Sequence, residues 1–447
     1  MGTTAKIHLW GQYVGAVSWL DDRGHSLFQY APEFVSSGLE PSPLHMPLAR
    51  AGAPFQFPGL GREAYQGLPG LLADVLPDKF GNAVIDAWLA RSGRERESFD
   101  PVQRLCAMGQ RGMGALEIEP SIDRGVRASI PVDVGALVSL AQQITEERNG
   151  LSAHPGLAAV LGAGHGTDPG AGHGVDGSND DVLDILRVGS SAGGARPKAV
   201  IAMNEAGDIR SGQATAPPGF DHWLLKFDGV DDLELGSPQG YGRIEYAYSL
   251  MARAAGLHMM ECRLLEEGGR AHFLTRRFDR RRDGRKLHLQ SLCGLAHLDF
   301  NQPGAHAYEQ AFSVMRQLGL SRAQCEQQFR RAVFNVVARN QDDHTKNIAF
   351  LMDEQGGWSL SPAYDVTFAY NPAGDWTAQH QLTVGGKREG HEVADLLALG
   401  ASLSLPRPQR VIDEVLDAVR LWPSFAEQAG VEGERCAAIA ECHRFVS

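Results

Sequence analysis

The chain is poor in the residues that staple or anchor a fold. Its six cysteines (Cys106, Cys262, Cys293, Cys325, Cys436 and Cys442) are scattered over 447 residues, with no CxxC pair. Free thiols in a reducing compartment are expected, rather than a disulfide framework or a zinc site. No apolar run approaches the length of a membrane span, and the opening "MGTTAKIHLWGQ" lacks an apolar signal core. Lys6 stands where N-myristoylation needs Ser or Thr. These absences predict a soluble, cytoplasmic protein with no membrane partner. Basic charge is in deficit as well. The formal net charge of −12 disfavours a surface built to coat nucleic acid non-specifically. What remains is ordinary for a globular protein, 43% hydrophobic and 21% charged, and the length predicts two or three domains or lobes.

Hydrophobic patterning divides the chain. "KIHLWGQYVGAVSWLDDRGHSLFQYAPEFV" alternates like short antiparallel strands. "LPGLLADVLPDKFGNAVIDAWLA" has helical spacing interrupted by prolines, and "RLCAMGQRGMGALEIEP" returns to a glycine-punctuated strand pattern. A mixed β/α domain over residues 1–125 is the simplest reading. Residues 126–181 are expected to be a helix, "VDVGALVSLAQQITEE", and then a flexible linker, "LGAGHGTDPGAGHGVDGSND". His165 and His173 in that glycine-rich coil make a poor metal site. From residue 182, "DVLDILRVGSSAGGARPKAVIAMN" reads as strand, glycine-rich loop, strand, and "DHWLLKFDG" as a further strand with His222, Leu224 and Lys226 on one face. "RIEYAYSLMARAAGL" is a helix stopping at Gly256, and "AHFLTRRFDRRRDGRK" a strand with a basic exit. Beyond residue 290 the pattern is mostly helical. The helix "EQQFRRAVFNVVARN" delivers the chain to "QDDHTKNIAFLMD".

That polar block carries the chemistry. "NIAFLMD", "EQGG" and "WSLSPAYD" predict a hairpin that returns Asp365 to the neighbourhood of Asp342 and Asn347. Two carboxylates and an amide oxygen suit a hard cation such as Mg²⁺. Asp342 and Asn347 have four residues between them, the spacing of a kinase catalytic loop, in which the Asp is the base and an Asn and a second Asp hold metal. Asp343 is the rival base, one residue too close. The turn "SSAGGARPK" lets backbone N–H groups approach phosphates, and it reads equally well as a plain hairpin turn. Lys226, mid-strand among apolar neighbours, needs a partner, and Glu245 on the next helix can supply it. The bland alternative is a lysine on a sheet edge.

Together these residues resemble the HipA-type serine/threonine kinases of bacterial toxin–antitoxin modules. "QDDHTKNIAF" is similar to the family's D-x-H-x-K-N loop, "SPAYDV" to its metal-binding Tyr-Asp segment, and "RRFDR" to its lobe-connecting segment. "GGARPKA" resembles a variant of its glycine-rich loop. "VGAVSW" and "RGMGALEIEP" resemble its N-terminal domain. The resemblance implies an α+β, bilobed protein-kinase-like (PI3/4-kinase-like) fold, with the small β-rich N-terminal domain over residues 1–125. It implies a kinase N-lobe over 182–280 and a mainly helical C-lobe over 281–447. It implies Asp342 as catalytic base, with Asn347 and Asp365 as Mg²⁺ ligands. ATP contacts would come from Ala195, Arg196, Pro197, Lys198, Ala199 and Val200 in the loop, and from Lys226 with Glu245. Arg276, Arg277 and Phe278 would line the adenine side, with His344, Lys346 and Tyr364 near the catalytic loop.

Two departures stand out. A serine whose autophosphorylation silences relatives is replaced at the aligned position by Gly193, leaving Ser190 and Ser191 as the nearest candidates. Arg276 stands where better-known members carry an acid. The resemblance also implies an aminoacyl-tRNA synthetase as protein substrate, growth arrest and persistence as outcome, and a small helix-turn-helix, HipB-like antitoxin as partner. Operator DNA would be contacted mainly through that partner. The basic run at Arg280–Arg282, Arg285 and Lys286 reads as a solvated loop. The alternatives are a small-molecule kinase and a catalytically silent corepressor.

Overall fold

A computed structural model describes residues 2–91, 93–121, 129–153, 196–212, 216–230 and 240–446. Alternation in the first thirty residues builds β1 (Thr4–Leu9), β2 (Gln12–Leu20) and β3 (His25–Tyr30). Ala5, Ile7 and Leu9 point into the core, while Thr4 and Lys6 point to solvent. With β4 (Leu116–Glu119) these strands form one antiparallel sheet in the order β3-β2-β1-β4. The strand expected over "RLCAMGQRGMGALEIEP" exists only in its second half. Pro101–Met108 is a helix, because Asp100 accepts from Gln103 N (2.9 Å) and the Gln103 side chain accepts from Asp100 N (2.8 Å). This reciprocal cap lies just upstream of the stretch read as strand.

A second antiparallel sheet comprises β5 (Lys198–Asn204), β6 (Ile209–Ser211), β7 (Phe220–Lys226), β8 (Cys262–Glu267) and β9 (Arg270–Arg276), in the order β6-β5-β7-β9-β8. One face buries Ile201, Trp223, Leu225 and Leu274 under Val134, Leu137 and Val138 of the helix Val134–Ala153. That helix, expected to introduce a linker, is therefore the back layer of the sheet. Further along it, Ala141 and Ile144 pack on Phe80 and Val84 of the helix Lys79–Arg91. The Gly/His-rich segment, with His165 and His173, lies outside the described residues. On the opposite face of β7, Leu224 and Lys226 line a cavity. The helix Tyr241–Ala254 crosses this sheet at Gly242, where a Cβ would sit 2.0 Å from the Ala271 carbonyl oxygen. Only glycine permits that approach, which brings Glu245, one turn on, to Lys226.

The remaining core is helical around Tyr248, Phe329, Phe334 and Trp422. Embedded in it, β10 (His288–Ser291), β12 (Ala349–Met352) and β13 (Trp358–Leu360) form a three-stranded sheet, and β11 (His306–Ala307) pairs in parallel with β14 (Leu382–Thr383). Strands β12 and β13 are the expected hairpin, with Phe350 opposite Leu360 and Met352 opposite Trp358. All six cysteines are free. No helix among the described residues is long and apolar enough to cross a membrane.

Candidate active site

The helix Arg322–Val337 is capped by Ser321 and Gln324 and ends at the polar block. There the two adjacent acids part. Asp343 is buried and accepts from Tyr308 Oη (2.8 Å), His380 Nδ1 (2.8 Å) and Gln381 N (2.8 Å). Burial alone would raise its pKa. His380 and these hydrogen bonds outweigh that effect and hold the carboxyl below the usual range. Asp342 faces outward with its side chain 42% exposed. Its backbone oxygen accepts from Asn347 Nδ2 (2.7 Å). Asn347 thus spends its N–H on the loop itself and keeps Oδ1, the atom a hard cation takes.

The hairpin brings back Tyr364, whose hydroxyl donates to the Lys346 carbonyl, and Asp365, whose φ of +50° lies in the left-handed region. Such a conformation is uncommon outside glycine, and Asp is among the residues that tolerate it best. Lys226 Nζ sits between two carboxylates, Glu245 Oε1 at 2.6 Å and Asp365 Oδ1. Burial works against the ammonium, and the two acids more than offset it, so the lysine stays charged well above its ordinary pKa. Burial lifts the Glu245 carboxyl despite Lys226, whereas Lys226 and Lys198 pull Asp365 down against its own burial. Of the two acids, Asp365 is the one whose carboxyl is held below its ordinary range.

The cavity that these groups line has a volume of about 110 Å³, with Lys226, Glu245, Asn347, Asp365, Lys346, Tyr364 and Arg276–Phe278 on its walls. Asp342 and His344 are not on those walls. His344 packs on Phe300 (5.4 Å between ring centroids), and Lys346 Nζ lies 4.7 Å over the same ring. Phe278 and Tyr364 pack against each other at 5.5 Å. Arg277 is buried and forked onto Asp279 (2.9 and 2.7 Å), so its guanidinium is committed and does not serve a ligand. Arg280 joins the same carboxylate at 2.8 Å. Both arginines reach carbonyls of the N-terminal domain at Gly112, Arg280 also at Gly114, while Gly114 N donates to Asp279.

Several expectations change. Lys198, Ala199 and Val200 belong to β5 rather than to a loop over phosphates, because their apolar run pairs with β7 and is buried there. Lys198 is buried against Asp78 at 2.9 Å. Arg196 stacks on Tyr241, 3.7 Å from the ring centroid. Ala195, Ser190 and Ser191 lie outside the described residues. In the basic run Arg281, Arg282 and Arg285 are exposed as expected, whereas Arg280 is held by Asp279 and Lys286 by Glu117. Arg276, Arg277 and Arg280–Arg282 line a second, open cleft of about 1480 Å³ against Lys6 and Arg111.

Sequence reading missed the residues that the N-terminal domain contributes to the smaller cavity, above all Asp74, Asp78 and Met113. Asp74 accepts from Ser291 N (2.7 Å) and Oγ (2.8 Å), and Asp78 accepts from Gly81 N (2.6 Å). Burial raises both carboxyls despite these partners. The only local signal at Asp78 is that of a helix cap, which says nothing of a lysine far along the chain.

A strand lysine paired to a helix glutamate, over a hairpin that brings Asp365 beside Asn347 and a loop that presents Asp342 just outside, defines a cleft of kinase-like make, closed at one end by residues of the N-terminal domain. The chain belongs to the HipA family. Residues 5–119 match the HipA N-terminal domain and residues 190–422 the HipA-like C-terminal domain. The fold is similar to that of HipA from Shewanella oneidensis MR-1, solved with HipB and its operator DNA. The TM-score is 0.62 at 16% identity, over 98% of this chain and 94% of that one. Y4mE of Sinorhizobium fredii, a protein named for a kinase, is 26% identical over 183 residues, which is 38% of this chain and 43% of Y4mE. The match thus spans less than half of that relative's length. The Helicobacter pylori kinase CtkA aligns with 49% of this chain and 92% of its own at 13% identity, with a TM-score of only 0.33.

Proposed function

We propose that the protein is an ATP- and Mg²⁺-dependent serine/threonine protein kinase, the toxin of a toxin–antitoxin pair. The observation that carries this reading is Lys226 held between Glu245 and Asp365 in a cleft shared with Asn347, at the foot of a loop that presents Asp342. Glu245 fixes the ammonium where it meets phosphate oxygens. Asp342 takes the proton of the acceptor hydroxyl as the phosphoryl group leaves ATP. Asn347 Oδ1 and Asp365 are oxygen donors of the kind Mg²⁺ prefers, and a bound Mg²⁺ would neutralise phosphate charge. Among the described residues no cluster of three or more His, Cys, Asp or Glu side chains forms a metal cage, which suits an ion completed by phosphates and water.

The cavity of about 110 Å³ is well below the roughly 300 Å³ of a small ligand pocket. ATP entry therefore opens the cleft, and the Lys226–Asp365 contact gives way as phosphate replaces the carboxylate. The resemblance and the HipA–HipB–DNA assembly of the Shewanella relative support a HipB-like helix-turn-helix partner that carries operator DNA. The resemblance also supports an aminoacyl-tRNA synthetase as acceptor, with growth arrest as the result. Incubation with Mg²⁺, γ-labelled ATP and a cell lysate, followed by identification of the labelled residue, tests this. Asp342→Asn should retain ATP binding and lose about 100-fold or more in transfer. Unchanged transfer by that variant refutes the base assignment. Label found only on metabolites refutes the protein acceptor, and label at Ser190 or Ser191 identifies self-modification.

A further inference from the structure

The Trp376 indole N–H donates to Asp342 Oδ1 at 2.6 Å, from a position 34 residues further along the chain. We propose that Trp376 is a positioning residue for the base: it holds Oδ1 and leaves Oδ2 turned to the acceptor hydroxyl. This inference rests on the kinase reading and extends it to the acceptor side of the loop.

A carboxylate on a short, exposed side chain rotates freely about its terminal torsion, and proton transfer needs one oxygen in a fixed place. A donor on one oxygen supplies that restraint. Asp342 Oδ2 has no hydrogen-bond partner among the described residues, and the side chain is 42% exposed, so the second oxygen is open to an acceptor. An indole acting as a plug would cover both oxygens, and this one engages a single oxygen. His344 reinforces the arrangement. Its Nε2 lies 3.7 Å from the same Oδ1, and its ring packs 6.3 Å from that of Trp376.

Trp376 is itself fixed through the neighbouring acid. Asp343 accepts from Gln381 N and His380 Nδ1, both at 2.8 Å, and the Gln381 amide donates to the Trp376 carbonyl. The path from Asp343 to Gln381 to Trp376 to Asp342 closes a ring of contacts. The buried acid thereby anchors the segment that orients the exposed one.

The full-length wild type, Asp342→Asn, Trp376→Phe and Trp376→His are compared with Mg²⁺ and γ-labelled ATP. Label transfer to lysate protein and phosphate release to water are measured, with binding of a fluorescent ATP analogue in parallel. Phenylalanine keeps an aromatic ring against His344 and removes the donor, at the cost of some ring volume. Its kcat should fall about tenfold, the effect of one hydrogen bond to a charged group. KM for ATP and analogue binding should stay within about twofold of wild type. Histidine, which restores a donor, should recover part of the loss. A Phe variant as fast as wild type, or faster, overturns the proposal, as does a Phe variant that loses nucleotide affinity in step with kcat. A wild type that transfers no more phosphate than Asp342→Asn removes the kinase reading itself, and the inference falls with it.

Discussion

The segment Arg277–Arg280 just past β9, a structural hinge between β9 and β10, and the cleft hold mirror-image charge triads. In the hinge, Asp279 lies between Arg277 and Arg280, with side-chain exposures of 0%, 2% and 8%. In the cleft, Lys226 lies between Glu245 and Asp365, at 13%, 4% and 24%. The hinge triad is closed: Asp279 also takes Gly114 N, and the arginines end on carbonyls. The cleft triad keeps an accessible lysine and an accessible carboxylate. Similar chemistry is a rivet where every valence is used and a working site where some are spare. The two also fail differently, because a buried carboxyl can escape its charge by protonation and a guanidinium cannot.

The largest effect expected from this difference is at the rivet. Asp279→Asn strands two buried guanidiniums and should cost roughly 3–5 kcal/mol, seen as a lower denaturant midpoint. If the midpoint barely moves, the hinge does not depend on its charge balance. Lys226→Met should cost less, about 1–3 kcal/mol at neutral pH, and should abolish measurable ATP binding. Without the lysine, both acids have folded pKa values above their unfolded ones. The variant should then be closest to wild type below about pH 4 and fall away as pH rises. A pH-independent difference would contradict that account.

The smallest effect concerns a neutral buried group just past the hinge. His288 donates through Nε2 to the Pro41 carbonyl (2.9 Å), and burial pushes its pKa down to about 4. Below about pH 6.5 the unfolded imidazole takes a proton that the fold refuses, so stability should decline as pH falls from about 6.5 to 4. His288→Gln should flatten part of that slope, and an unchanged slope would assign it to other buried histidines.

How much of this was legible in the sequence follows from how local each signal is. The Asp342–Asn347 spacing, the hairpin and the Lys226–Glu245 pair lie within short stretches whose periodicity dictates geometry. The separation of Asp342 from Asp343 was legible only as register. Its physical cause, a pocket formed by Tyr308, His380 and Gln381, is assembled from two segments distant from Asp343 in the chain. Trp376 gave no signal and Asp78 only that of a helix cap, since an indole in a turn and an acid before a helix look like ordinary loop residues. The loop boundary at Lys198 was misplaced because a lysine in an apolar run reads as a ligand-binding residue until its buried partner is known. The helix Pro101–Met108 was missed although its cap is written in Asp100, Pro101 and Gln103.

The contacts of Asp74, Asp78, Gly112 and Gly114 carry a consequence for modularity. Asp78 meets Lys198 at the edge of one wall of the cleft, Asp74 meets Ser291 beside the other, and the two glycines meet the hinge between them. The N-terminal domain is thus a third side of the cleft, and a shortened chain beginning near residue 126 would be missing a wall. Lys198 would lose its contact with Asp78, and Arg277 and Arg280 would lose the carbonyls that receive them. The cleft is shared between the N-terminal domain and the residues beyond it, and cutting at that boundary should open the site to water.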